Sequence, residues 1–130
     1  MSAHAHSKPT VLVVDDAPAV STTLLWVLCE NGFEGTIARS QAEAVKLCRE
    51  FLPDVALIET SLPDGTGIDT ACELHRRVPG CRMLLMSGDP EAGDYLQRAR
   101  AAGLDCELLP KPIPVADLLA KLRSALAHAA

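Results

Sequence analysis

The stretch VLVVDDAP, residues 11–18, decides the fold. Val11, Leu12, Val13 and Val14 form an apolar run, mostly β-branched, with no polar alternation. Such a run predicts a strand buried on both faces, as in a parallel sheet. An acidic pair, Asp15 and Asp16, ends it, and a different rhythm follows. From Pro18 to Asn31 the residues Val20, Leu24, Val27 and Leu28 recur at helical spacing, and Asn31-Gly32 is a stop signal. A buried strand feeding a helix is the start of a βα unit.

The same alternation continues along the chain. Residues 34–38, EGTIA, predict a short second strand. Ser40 with Glu43 forms a capping-box signature for a helix lined by Ala42, Val45, Cys48 and Leu52. Val55-Ala56-Leu57-Ile58 predicts the third strand, and Ile68, Ala71, Cys72 and His75 mark a helix stopped before Pro79-Gly80. Met83-Leu84-Leu85-Met86 predicts the fourth strand. Asp89 then reads as an N-cap with Pro90 at the first helical position, Ala92, Leu96 and Ala99 facing inward, and Gly103 closing the helix. Residues 106–109, CELL, predict the fifth strand. Val115, Leu118, Leu119, Leu122 and Leu126 give the cleanest amphipathic stripe. Five such units predict an α/β domain, a parallel sheet covered by helices on both faces. Residues 1–9 read as a flexible tail, with His4 and His6 solvated, and residues 10–130 as one domain.

Composition narrows the function. A length of 130 residues suits one domain, large enough for a core without disulfides or metals. The net charge of -5 argues against direct binding of nucleic acid or an anionic membrane by bulk charge. Aromatic residues make up only 3%, so stacking on bases has little material. No apolar stretch approaches the ~20 residues of a membrane span, and the first nine residues lack a signal-peptide core. The five cysteines, Cys29, Cys48, Cys72, Cys81 and Cys106, contain no Cys-x-x-Cys pair. They read as buried free thiols of a cytoplasmic protein. Trp26, between inward Leu24 and Val27, reads as a semi-exposed surface aromatic, and His75 as packed.

In a parallel sheet, ligands bind at the carboxyl ends of the strands. Asp15 and Asp16 follow the first strand, Glu59 the third, Ser87 the fourth and Lys111 the fifth. Three clustered carboxylates favour a hard divalent cation such as Mg²⁺. A hydroxyl and an ammonium are donors suited to phosphoryl oxygens. Together they describe a site for a metal and a phosphoryl group.

The motifs VVDDAP, IETSLPDGTG, LLMSG and LLPKP, in this order and each behind a predicted strand, resemble the receiver domain of bacterial two-component response regulators. The resemblance runs from about Thr10 to about Ala127. It implies a flavodoxin-like (βα)5 three-layer sandwich with sheet order 2-1-3-4-5. It further implies Asp15 and Asp16 as the acidic pair of a Mg²⁺ site, completed by Glu59 and Ser61. Ser87 and Lys111 would meet the phosphoryl group, and the Lys111–Pro112 peptide bond would be cis. Asp89 lies where the family tunes dephosphorylation, but its residue type suits a cap, and Ser61 suits a loop.

Two positions depart from the family pattern. Glu59 stands where the phosphate-accepting aspartate belongs, and Leu108 stands where an aromatic switch residue is common. In-line attack on phosphorus loses about a hundredfold for a misplacement on the order of 1 Å. One methylene moves the carboxylate by about that much, given a C–C bond of ~1.5 Å. Glu59 is therefore expected to be a poor acceptor, with a carboxylate that can reach toward Ser87 and Lys111. The expected function is a phosphorelay signalling module, not an enzyme, acting through protein–protein contact as a monomer or weak homodimer. Its expected partner is a histidine kinase or other signalling protein, met through helix 4, strand 5 and helix 5. No output region follows within these residues, so the effect passes through a partner or the domain is cut from a larger protein. The alternative is a working phosphoacceptor at Glu59 or a neighbour. A flavin protein or haloacid-dehalogenase-type phosphatase is disfavoured, because DDAPAV is neither a phosphate loop nor an Asp-x-Asp motif.

Overall fold

The computed structural model describes residues 8–89 and 93–127. Strand β1 (Thr10–Val14) leads into α1 (Pro18–Glu30), β2 (Glu34–Ala38), α2 (Gln41–Leu47) and β3 (Val55–Glu59). A small hairpin of β4 (Ser61–Leu62) and β5 (Gly65–Thr66) comes next, then α3 (Gly67–Arg77) and β6 (Arg82–Ser87). The chain closes with α4 (Gly93–Ala101), β7 (Cys106–Pro110) and α5 (Val115–Ala127). The five long strands form one parallel sheet in the order β2-β1-β3-β6-β7, which is 2-1-3-4-5 counting those strands alone. The hairpin pairs antiparallel and was not foreseen from the sequence.

The two-residue repeat of the strands divides the core. Val11, Val13, Val55 and Leu57 face one side, against Leu24 and Leu28 of α1 and Leu118 and Leu122 of α5. Leu12, Val14, Ala56 and Ile58 face the other, against Ala44 of α2, Leu74 of α3 and Ala99 of α4. Burying one such aliphatic side chain contributes roughly 1.5–3 kcal/mol. Neither face of the sheet can therefore stay uncovered. Gly32 and Gly103 end α1 and α4 in the left-handed region, at φ 88° and 85°, where a side chain would be strained. No helix among the described residues is long and apolar enough to cross a membrane.

Several expected details differ. Ser40 caps α2 by accepting from the Glu43 N–H at 3.1 Å, but Glu43 Oε1 accepts from Arg39 N instead of closing the box on Ser40. α2 is two turns long, so Ala42 and Leu52 are exposed, and Ala44 and Cys48 supply the buried contacts. On α3, Leu74 is inside and His75 is exposed, because the polar final turn His75-Arg76-Arg77 lies in solvent. Val115, in the first turn of α5, is exposed. The Asp89–Pro90 helix start and Ala92 involve residues 90–92, outside the described residues, as does most of the proposed tail. The cysteines are all free, but Cys29 is exposed on the outer face of α1 and Cys72 is half-buried. Burial pushes the Cys81 thiol up to about 12.

The start of α3 is seated tightly on the strand before it. Gly67 N donates to Thr60 O at 2.9 Å. A Cβ on Gly67 would lie 2.3 Å from the Glu59 carbonyl oxygen and 2.8 Å from Thr60 Cα, both backbone atoms with little freedom to move. Gly67→Ala should therefore lower stability by roughly 1–3 kcal/mol, the range for forcing atoms into a packed site. A shift of the urea midpoint to lower concentration, with unchanged slope, is the expected result.

Candidate functional site

Parallel register lines up the chemistry. Val14 pairs with Ile58, so Asp15 and Glu59 are neighbours one step further along. Glu59 pairs with Met86 and Ser87 with Pro110, which brings Ser87 and Lys111 to the same edge. The alternation of faces then separates them. Glu59 follows Val55 and Leu57, whose side chains face α1 and α5. Asp15 continues the Val11, Val13 series, and Lys111 follows Leu109 on that same side. Ser87 follows Met83 and Leu85, which face α2, α3 and α4.

The contacts match this division. The Lys111 ammonium donates to Asp15 Oδ2 at 2.7 Å and to Glu59 Oε1. Asp15 is 1% exposed, and its other oxygen accepts from Ala17 N at 2.9 Å. Glu59 Oε2 accepts from the Thr60 hydroxyl at 3.2 Å and from Ser61 N at 3.4 Å. Ser87 is buried, yet it bonds neither Glu59 nor the Lys111 side chain. Its hydroxyl accepts from Asp89 N at 3.0 Å, and its carbonyl accepts from Lys111 N at 2.7 Å. Of the two expected contacts of Glu59, the one to Lys111 forms and the one to Ser87 does not. Asp16 is exposed and lies outside the bridge. Leu108 is half-buried in mid-β7, packed on the α2–α4 side away from the bridge. The Lys111–Pro112 bond is cis.

The bridge lies beside an apolar cleft of about 450 Å³ lined by Ala19, Val20 and Leu24 of α1 and by Pro112 and Ile113. Burial alone would lower the Lys111 pKa, but hydrogen bonds and charge attraction from Asp15 and Glu59 outweigh it and raise it above the ordinary lysine value. The ammonium is therefore held charged across the neutral range.

The expected metal set does not fit a divalent cation in this arrangement. Among the described residues, no three His, Cys, Asp or Glu side chains are grouped to hold one. Mg²⁺ requires near-octahedral oxygens at about 2.0–2.1 Å. Here both oxygens of Asp15 and both of Glu59 already accept from protein donors. Ser61 contributes an N–H to Glu59, and its own side chain is exposed.

Sequence reasoning missed two supports of this edge. Thr60, 2% exposed, holds Glu59 through its hydroxyl and ties β3 to β6 by donating its N–H to Met86 O at 3.0 Å. Its only signal was a hydroxyl next to an unusual carboxylate. Asp64, in the hairpin turn, accepts from Gln41 N at 2.8 Å and Ala42 N at 3.0 Å. It thereby caps α2 from a distance and pins the segment after Glu59. The Pro63-Asp64-Gly65 sequence signals a turn, but nothing local names the helix it caps.

Comparison with known proteins follows the same lines. The sequence model of the "Response regulator receiver domain" family matches residues 11–123. A probable transcriptional regulatory protein of Mycobacterium tuberculosis, TcrX, is 31% identical over 117 residues, covering 90% of this chain and 49% of TcrX. The chain spans about half the length of the curated relatives it matches. A CheY-like receiver domain protein from Methanospirillum hungatei superimposes with TM-score 0.85 at 26% identity, over 93% of this chain and 95% of that one. A response regulator from Burkholderia pseudomallei, solved with a phosphorylated aspartic acid, calcium ion and citrate, gives TM-score 0.80 at 26% identity over 92% of this chain and 69% of that one.

The hydrogen bonds from Gln41 N and then Ala42 N hold the Asp64 carboxyl below the usual aspartate value. A depressed carboxyl contributes stability that is fully present above the unfolded value near ~3.9 and is lost as pH falls through the folded value. Asp64→Asn should therefore be less stable than wild type at pH 7, and the gap should narrow only on the acid side of about pH 4. Thermal melts of both proteins between pH 7 and pH 3 test this.

Proposed function

The chain belongs to the response regulator receiver domain family, and on that premise we propose that it transmits by protein–protein contact without accepting a phosphoryl group at Glu59 in the usual way. The observation that carries this is the Lys111 ammonium bound to both Asp15 and Glu59. A nucleophilic carboxylate needs a free oxygen in line with phosphorus. Glu59 has one oxygen on Lys111 and the other on Thr60 and Ser61. An aspartate there, shorter by one C–C bond of ~1.5 Å, would be drawn back from the lysine.

Glu59 reproduces only part of a phosphorylated state. It brings one negative charge to Lys111, against about -1.5 to -2 for a phosphoryl group. It leaves Ser87 on its own turn, bonded to Asp89 N. Leu108 offers no ring to rotate toward the site. These features support one held conformation, read by a partner, over a switch. The partner we assign is a histidine kinase or another signalling protein, met through the α4–β7–α5 face. On this reading the domain is not an enzyme, and its free thiols suit the cytoplasm.

The test is incubation with acetyl phosphate and Mg²⁺ followed by intact-mass measurement of wild type and Glu59→Asp. Wild type should stay unmodified, and the aspartate variant should gain one phosphate. A phosphate on wild-type Glu59 would overturn the proposal. If neither protein gains one, side-chain length is not the obstacle.

A further inference from the structure

We propose that the Lys111 ammonium is the resident cation of this acidic edge, so that the domain keeps its folded form without a divalent cation and does not respond to one. This deepens the preceding proposal and rests on its picture of Glu59 tied to Lys111.

The case rests on the use of each oxygen. Asp15 is a carboxylate at 1% exposure, and a buried charge left unpaired is strongly destabilising. The Lys111 ammonium meets it at 2.7 Å, and a backbone N–H at 2.9 Å takes its second oxygen. The same ammonium meets Glu59, which reaches it from the neighbouring strand on the same face of the sheet. One cation therefore serves two carboxylates. A Mg²⁺ ion bridging Asp15 and Glu59 would compete for the position the ammonium holds between them. Entry of the metal would first expel a charged group that is four-fifths covered. Asp16, exposed and outside the bridge, supplies one carboxylate only.

The lysine is fixed in this role by its backbone. Lys111 N donates to Ser87 O at 2.7 Å, so the residue continues β7 and directs its side chain to the α1 side. Glutamate at position 59 completes the arrangement. Its length, which hinders attack on phosphorus, closes the contact with nitrogen.

Two measurements test the proposal. Thermal melts are recorded with 0–10 mM MgCl2 at constant ionic strength. The wild-type midpoint should move by less than about 1 °C, against several degrees for a protein that binds such an ion. Lys111→Met keeps most of the stem and removes the charge. It should melt lower without metal and recover by about 2–4 °C, saturably, as MgCl2 rises. A saturable rise in wild type overturns the proposal, as does a folded Lys111→Met that ignores the metal. Should that variant fail to fold, wild type alone decides. Paramagnetic Mn²⁺ should leave the amide signals of residues 59–61 and 111 as strong as those of the rest of the chain, and their selective loss overturns the proposal. Phosphate on a metal-silent wild type would sink the proposed function alone. A metal response in a wild type that still refuses acetyl phosphate would sink this inference alone.

Discussion

The alternation of side chains along five buried parallel strands is the constraint on which the rest depends. Leu57 and Ile58 are both fully buried, on opposite faces of the sheet. A slip of one residue in β3 would exchange the two faces and drive Glu59 toward the apolar α2–α4 side. Register is therefore specified by the core, and the register places Asp15, Glu59 and Lys111 on one side. The bridge among them follows from the sheet. A partly buried ion pair is in general a poor source of net stability, and the apolar faces supply that here.

Much of this was legible in the sequence because buried parallel strands announce both of their ends. The run Val11 to Val14 stops where the acids begin, and observed β1 stops there too. The same holds for β2, whose five residues match the expected stretch. Short helices were harder. α2 has seven residues, too few for periodicity to choose a face, so the apolar spacing of Ala42 and Leu52 does not correspond to a buried stripe. Helix ends also misled, since Val115 and His75 fit a stripe but lie in a terminal turn where the partner layer has run out.

At the site, the convergence of the chemical residues is legible in the sequence, and their division between two faces requires the sheet. The strand-end rule brings all the chemical residues to one edge. Alternation from Val13, Leu57 and Leu109 puts Asp15, Glu59 and Lys111 on one face, and alternation from Met83 and Leu85 puts Ser87 on the other. The roles of Thr60 and Asp64 needed tertiary knowledge. The Asp64 carboxylate finds its two donors more than 20 positions earlier, at Gln41 and Ala42. No local pattern encodes a cap supplied across such a gap.

The position of Trp26 has a practical consequence. It is the only tryptophan, is 66% exposed, and sits on the outer face of α1 while Leu24 and Leu28 hold that helix to the sheet. Its indole already meets water in the folded state. The emission colour of this protein is therefore an optical label for whatever covers α1, and it is nearly blind to events in the aliphatic interior.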